Sequence, residues 1–171
     1  MKIKIKKNRH YPFLIPIALP FWVKKNSITR RTAKFKFTES CLFDLIDEDQ
    51  HDVNKLFGFS IGFHHKTSFR FGWRPILSEN KIEIVGYEYH DGVRQVTMPI
   101  TRININQWYG FSISYNRPSQ ISHYSVYDTK DNANLVNSVI LEKQDYGLGY
   151  TLGIYFGGNE KAPQDIVIYK S

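Results

Sequence analysis

The chain has 171 residues, 42% of them hydrophobic and 15% aromatic, with 23 Lys and Arg against 16 Asp and Glu for a formal net charge of +7. That length fits one domain with one core, burying roughly 70% of the unfolded surface. A single cysteine, Cys41, excludes an internal disulfide and any thiolate cluster for zinc or iron–sulfur.

The charge is uneven. Residues 1–36 hold eleven Lys or Arg and no acid, so the remaining 12 bases are outnumbered by all 16 acids. Lys2, Lys4, Lys6, Lys7, Arg9, Lys24, Lys25, Arg30 and Arg31 are therefore candidates for docking on an acidic protein surface, a sister subunit or an anionic glycan. The alternative is that these lysines guard edge strands against aggregation. Basic and aromatic residues do not interleave there as a sequence-specific nucleic-acid reader requires.

The opening "MKIKIKK" alternates Ile with Lys and predicts a short edge strand. The following "YPFLIPIALPFW" superficially resembles a secretory signal, but Pro12, Pro16 and Pro20 interrupt it. It is far shorter than the roughly 20 residues of a membrane span and ends in "FWVKK" instead of small residues. An extended segment wrapped over the domain is expected, made in the cytoplasm with no signal peptide and no transmembrane segment. The expected division is a basic arm or edge segment over 1–36 and a β-sandwich domain over 37–171.

From Phe57 to Trp73 every odd position is Phe, Ile, His, Thr or Trp, and the even positions are small or cationic. Such alternation predicts strands with one face in a core. Seventeen residues would span roughly 60 Å, so a bend near "HHKTS" is expected, giving strands over 56–63 and 68–74. His65 falls in the apolar register and predicts a core histidine opposite to His64. In "KIEIVGYEYHDGVRQVTMPI" Asp91-Gly92 predicts a type I′ hairpin. His90 then faces Val93, Val85 faces Met98, and Val85, Tyr87, Val96, Met98 and Ile100 form one apolar face with a bulge near Gly86. "QWYGFSISYN", "SHYSVYD", "LVNSVILEK", "GLGYTLGIYF" and "DIVIYKS" complete about ten to twelve strands with no helical period, which predicts an all-β antiparallel sandwich of two sheets.

Three stretches carry a family resemblance: the hairpin "KIEIVGYEYHDG", the pair "INQWYGFSISYN" and "SHYSVYD", and the late "LGIYFGGNEKAPQDIVIY". From about Phe35 onward the chain resembles the concanavalin A-like lectin and glucanase superfamily, the laminin-G-like jelly rolls. The resemblance implies saccharide or protein binding and, in some members, polysaccharide cleavage. The paired carboxylates of the cleaving branch, about 5 Å apart on one strand face, are absent. Glu83 and Glu88 lie five apart, on opposite faces of a regular strand. No catalytic residue is carried over, and the chain is read as a non-enzyme.

The even-numbered stripe supplies the candidate ligand site: His64, Lys66, Ser68, Arg70 and Arg74, beside glycines that leave room for a ligand, with Tyr89 and Trp108 as stacking plates. Arginine forks suit carboxylates, sulfates and phosphates. The same arginines could instead pair with Glu83, Glu88 and Asp91. The acidic loop offers Asp47, Asp49 and Asp52 as weak calcium candidates but lacks the order of a calcium loop; no cofactor is expected. Cys41, beside Leu42 and Phe43, reads as packing.

Three functions follow. A chain without a signal or disulfide that folds as a lectin-like sandwich fits a structural or decorating subunit, such as one in a bacteriophage virion, docked through its basic segment. The alternative is a saccharide-binding module for anionic glycans, and a second alternative is a polysaccharide lyase using His and Tyr as base and acid.

Overall fold

The computed structural model describes residues 1–13, 18–45, 52–95, 97–129, 134–140 and 147–171. Its strands are β1 (Lys2–Ile5), β2 (Pro20–Val23), β3 (Ile28–Phe37), β4 (Asn54–Ile61), β5 (Ser68–Ile76), β6 (Lys81–His90), β7 (Val93–Arg94), β8 (Met98–Asn104), β9 (Trp108–Asn116), β10 (Ile121–Asp128), β11 (Asn134–Ile140), β12 (Gly147–Leu152) and β13 (Ile166–Lys170). They form two antiparallel sheets. One has six strands in the order β1-β13-β3-β9-β10-β11, the other seven in the order β2-β12-β4-β5-β6-β7, with β8 also paired to β6. Among the described residues no helix is long and apolar enough to cross a membrane.

Alternation sorts the side chains as the sequence predicts. Phe57, Phe59, Ile61, Phe69, Phe71 and Trp73 point from β4 and β5 into the core. Opposite them the six-stranded sheet contributes Phe35, Phe37, Phe111, Ile113, Tyr115 and Tyr124. Phe69 stacks on Tyr115 with centroids 4.8 Å apart, and Phe71 meets Phe111 and Tyr124 edge-on at 5.2 and 5.1 Å. Offset and edge-on pairs of this kind contribute about 0.5–1.5 kcal/mol each beyond the area they bury.

The bend falls at residues 62–67, with Gly62 at a φ of 67°. His64 and His65 therefore lie in a turn, where strand register does not apply. Their ring centroids sit 4.3 Å apart and His65 is exposed, so the core histidine expected at 65 is not one.

The hairpin turns at Asp91 and Gly92, both at positive φ (50° and 83°), and pairs His90 with Val93 as the type I′ geometry requires. Beyond it the register differs from expectation. Gly86 pairs with Met98 and Val85 with Pro99, and the ladder shifts again between Ile84 and Val85. Ile100 consequently packs on the main core, while Val85 and Tyr87 join Val53 on the opposite face. Val96 and the Met98 side chain lie outside the described residues.

The described part of residues 1–36 is woven into both sheets. β1 is the edge of the six-stranded sheet beside β13, β2 is the edge of the other beside β12, and β3 is interior between β13 and β9. Ile3 and Ile5 face the core and Lys2 and Lys4 face out, so the KIKI pattern sets the orientation of β1. The boundary expected at residues 36 and 37 falls inside β3.

Candidate functional site

The outward face of the seven-stranded sheet carries Ser68, Arg70, Gly72 and Arg74 on β5 beside Tyr89, Tyr87, Val85 and Glu83 on β6. Its glycines do not open space for a ligand. A Cβ on Gly72 would lie 2.3 Å from Val53 Cγ1 and 2.9 Å from Val85 Cγ2, and one on Gly58 would lie 2.0 Å from the Phe69 carbonyl oxygen. Neighbouring groups already occupy those places.

Lys55 belongs to this face because of an irregularity. The β4–β5 register shifts between Lys55 and Phe57, and such a bulge re-aims the side chains beside it. Lys55 Nζ donates to the Gly157 carbonyl at 2.9 Å and lies 4.8 Å from the Tyr87 ring centre and 5.6 Å from that of Tyr155.

The wall opposite β6 comes from the chain after β12. Lys55 and Tyr155 exchange backbone hydrogen bonds of 2.8 and 3.0 Å, which holds that segment along β4. Asn54 Oδ1 accepts the Gly157 N–H at 2.6 Å, and Asp52 Oδ2 accepts the Gly158 N–H at 3.1 Å. Arg70 Nη2 donates to the Gly153 carbonyl at 2.7 Å. Between the wall and the sheet lies a cleft of about 490 Å³. Tyr11, Tyr87, Tyr89 and Tyr155 supply aromatic surface, Lys55 and Arg70 cationic surface, and His64, His65, Ser68 and Asn159 the polar remainder. Among the described residues, none lining it is a carboxylate.

Burial governs the charges. Lys55 is only 8% exposed, and that desolvation, reinforced by Arg70 and Arg94 and opposed by Asp52, lowers its pKa to about 8. Burial also pulls Arg70 down to about 10, where it is still protonated at neutral pH, and its Nε has no hydrogen-bond partner among the described residues. Burial, then the neighbouring His65 and Arg70, lower His64, which favours its neutral form. Its Nδ1 lies 2.7 Å from the Tyr150 hydroxyl oxygen, which also accepts the His64 backbone N–H at 3.1 Å. Tyr87 is pushed up to about 12, chiefly by burial.

His64, Ser68, Arg70 and Tyr89 thus meet in one cleft, and three other candidates do not. Lys66 is exposed on the turn and does not line it. Arg74 Nε donates to Glu83 Oε2 at 2.6 Å, the ion pair anticipated as the alternative. Trp108 begins β9 in the other sheet, where its ring lies 5.5 Å from Lys36 Nζ. It is no stacking plate for this cleft. Glu88 does not pair with the arginines either. It points between the sheets, where Oε1 accepts hydrogen bonds from Ser122 Oγ (2.8 Å) and Tyr124 Oη (2.6 Å) while Oε2 meets His90 Nε2 at 2.6 Å. Lys55, Tyr11, Tyr87 and Tyr155 complete the cleft and were missing from the sequence-derived set.

The basic candidates are dispersed. Lys4 Nζ pairs with Asp165 at 2.6 Å, and the Lys7 backbone N–H donates to the same carboxylate at 2.9 Å. Arg31 lies on the core-facing register of β3, its guanidinium 4.2 Å from the Phe21 ring centre. Lys2 and Arg30 are exposed on strands of the six-stranded sheet, Lys24 and Lys25 are exposed between β2 and β3, and Lys6 and Arg9 line a second cavity. Asp47 and Asp49 lie outside the described residues; Asp52 is held by Gly158 as given above. Among the described residues no group of three or more His, Cys, Asp or Glu side chains is arranged to hold a metal ion. Cys41 is fully buried, and burial pushes its thiol up to about 12.

No protein-family model matches the chain, and no curated protein matches it in sequence. Solved structures do match. A winged bean acidic lectin complexed with methyl-alpha-D-galactose aligns over 98% of this chain and 83% of its own, at 10% identity and a TM-score of 0.54. The CBM2 module of an evolved Dit from Lactobacillus casei BL23 phage J-1 aligns over 97% and 74%, at 9% identity and a TM-score of 0.53. Tailspike protein 2 of an Escherichia coli O157:H7 bacteriophage aligns over 88% of this chain but 21% of its own, at 12% identity and a TM-score of 0.50. Identities this low speak to architecture alone, and the architecture is the concanavalin A-like jelly roll.

Proposed function

We propose that the chain is a saccharide-binding β-sandwich that holds an anionic glycan in the cleft of its seven-stranded sheet without cleaving it. The observation that carries this reading is the cleft itself: Lys55 and Arg70 set among tyrosine rings, with no carboxylate among the described residues that line it. Aromatic faces accept the apolar side of a sugar ring, and a guanidinium offers paired donors to a carboxylate or sulfate. Water is a poor competitor for an anion there, because the two cations are already largely desolvated. The lectin and the phage CBM2 module lend support through the shared fold.

Binding without cleavage is supported by the two carboxylates of β6, which are turned to opposite faces. Glu83 is committed to Arg74 on one face and Glu88 to Ser122, Tyr124 and His90 on the other. Binding without turnover predicts no unsaturated product on uronate polymers. Accumulation of that product would favour the lyase reading, for which the His64–Tyr150 contact beside Arg70 is the specific support.

Assembly into a particle is a second reading compatible with the first. Its support is the phage proteins among the structural neighbours, together with Lys2, Arg30, Lys34 and Lys36 exposed or half-buried on the six-stranded sheet, away from the cleft. Calorimetric titration with uronate-containing, sulfated and neutral oligosaccharides tests the first reading. Binding restricted to the acidic sugars and lost in Arg70→Ala is expected, and equal binding of neutral sugars would overturn it. Salt-sensitive co-sedimentation with a particle, weakened in a Lys2→Glu/Arg30→Glu variant, tests the second.

A further inference from the structure

A second cavity, of about 570 Å³, adjoins the cleft. Lys6, Arg9 and Lys161 line it with His10, Phe13 and others, again with no carboxylate among the described residues. Tyr11 lines both spaces. The partition is a run of rings: Tyr155, in the cleft, stacks on His10, in the second cavity, at 5.1 Å and 10° between planes, and Tyr11 meets Tyr155 edge-on at 4.9 Å. Backbone bonds fix this arrangement. The Asn8 N–H donates to the Ala162 carbonyl at 2.8 Å, the Ala162 N–H to the Arg9 carbonyl at 3.1 Å, and the Phe156 N–H to the His10 carbonyl at 2.8 Å. Asp165, whose carboxylate feels the Lys6 charge, is already engaged by Lys4 Nζ and the Lys7 N–H. Glu160, between Asn159 and Lys161 in sequence, lines neither space.

We propose that the two cavities form one extended site for an anionic polysaccharide chain, with one acidic sugar at Lys55 and Arg70, a crossing over the Tyr11 ring, and a further acidic sugar at Lys6, Arg9 and Lys161. The inference rests on the reading of the cleft as an anionic-glycan site. Two cationic spaces with a shared aromatic wall favour a ligand that repeats its charge along its length, because the second contact becomes intramolecular once the first is made. The exposed cations of the second cavity add attraction that salt screens, whereas Lys55 and Arg70 are shielded from it.

The test is the affinity of a homologous series of oligouronates, from mono- to octasaccharide, for the intact chain and for a Lys6→Ala/Arg9→Ala/Lys161→Ala variant. All three positions are exposed, so the variant retains its core; circular dichroism and thermal unfolding check this. Affinity is expected to rise at least about tenfold from the monosaccharide to the longer oligomers, with a steeper salt dependence for the longer ones. The triple variant flattens the rise and leaves the monosaccharide affinity unchanged. Tyr11→Ala, which opens the partition without removing charge, reduces the gain with length by a smaller factor. Monosaccharide binding with no gain from length, or a gain that survives the triple variant, overturns the extended site and leaves the cleft reading standing. Failure of every oligouronate to bind overturns both.

Discussion

β5 has two faces that do opposite work. On one, Phe69, Phe71 and Trp73 are sealed between the sheets and hold the fold together. On the other, Ser68 and Arg70 floor the cleft, and Arg70 keeps a buried Nε that has no partner among the described residues. A residue spacing of one separates side chains that stabilise the sandwich from a cation whose burial is costly. The comparison teaches that substitutions on adjacent positions should report on different properties.

The largest expected effect lies on the inner face. Phe71→Ala should lower stability by about 3–5 kcal/mol through lost burial and a cavity beside Phe111 and Tyr124, measured by urea unfolding. Glu88→Ala should cost about 3 kcal/mol, because Ser122 and Tyr124 lose the acceptor that satisfies them. A stability change below about 1 kcal/mol in either variant would break the assignment of these positions to the core.

Arg70→Met should do the reverse. Anionic-glycan affinity falls by about 2 kcal/mol, while stability stays within about 1 kcal/mol of the parent, since a partly satisfied buried cation is exchanged for an apolar chain of similar length. Loss of fold in this variant would mean that the two faces of β5 are not separable.

Lys55 sharpens the contrast through pH. Its pKa is lowered to about 8 in the folded chain from 10.5, so between these values the unfolded chain binds the extra proton. The contribution of Lys55 to stability therefore rises with pH from about 8 toward 10, before tyrosines such as Tyr87 begin to act in the opposite sense. Anion affinity falls over the same interval as the ammonium loses its charge, by roughly tenfold, and Lys55→Met removes the dependence. Affinity measured from pH 7 to 9.5 in both proteins decides it; a flat profile in the parent excludes Lys55 from the contact. The smallest effect is expected at Arg74→Gln, where the loss of a partly exposed ion pair with Glu83 should cost under about 1 kcal/mol and leave affinity unchanged.

The inner face was legible because alternation is a local property: the spacing of Phe57, Phe59, Phe69, Phe71 and Trp73 fixes which way each ring points. The same alternation carried Ser68 and Arg70 to one outward face. Lys55 was hidden because the bulge before Phe57 departs from that period, and nothing in "NKLFG" marks it. Tyr155 was hidden for a different reason, since it reaches Lys55 through a bridge between segments one hundred residues apart in sequence. Trp108 shows the converse error. Its neighbours in the sequence follow the hairpin directly, yet β9 crosses to the other sheet, and the order of sheets is a non-local outcome that a local pattern does not contain. His65 was misplaced by extending a strand period through a turn.

The sealed thiol of Cys41 has a practical corollary. With one cysteine in the chain, and that one inaccessible and held protonated, the protein offers thiol reagents an almost silent background. A cysteine introduced at exposed Asn159 on the cleft rim would then be the sole position labelled, so a fluorophore placed there would signal occupancy directly.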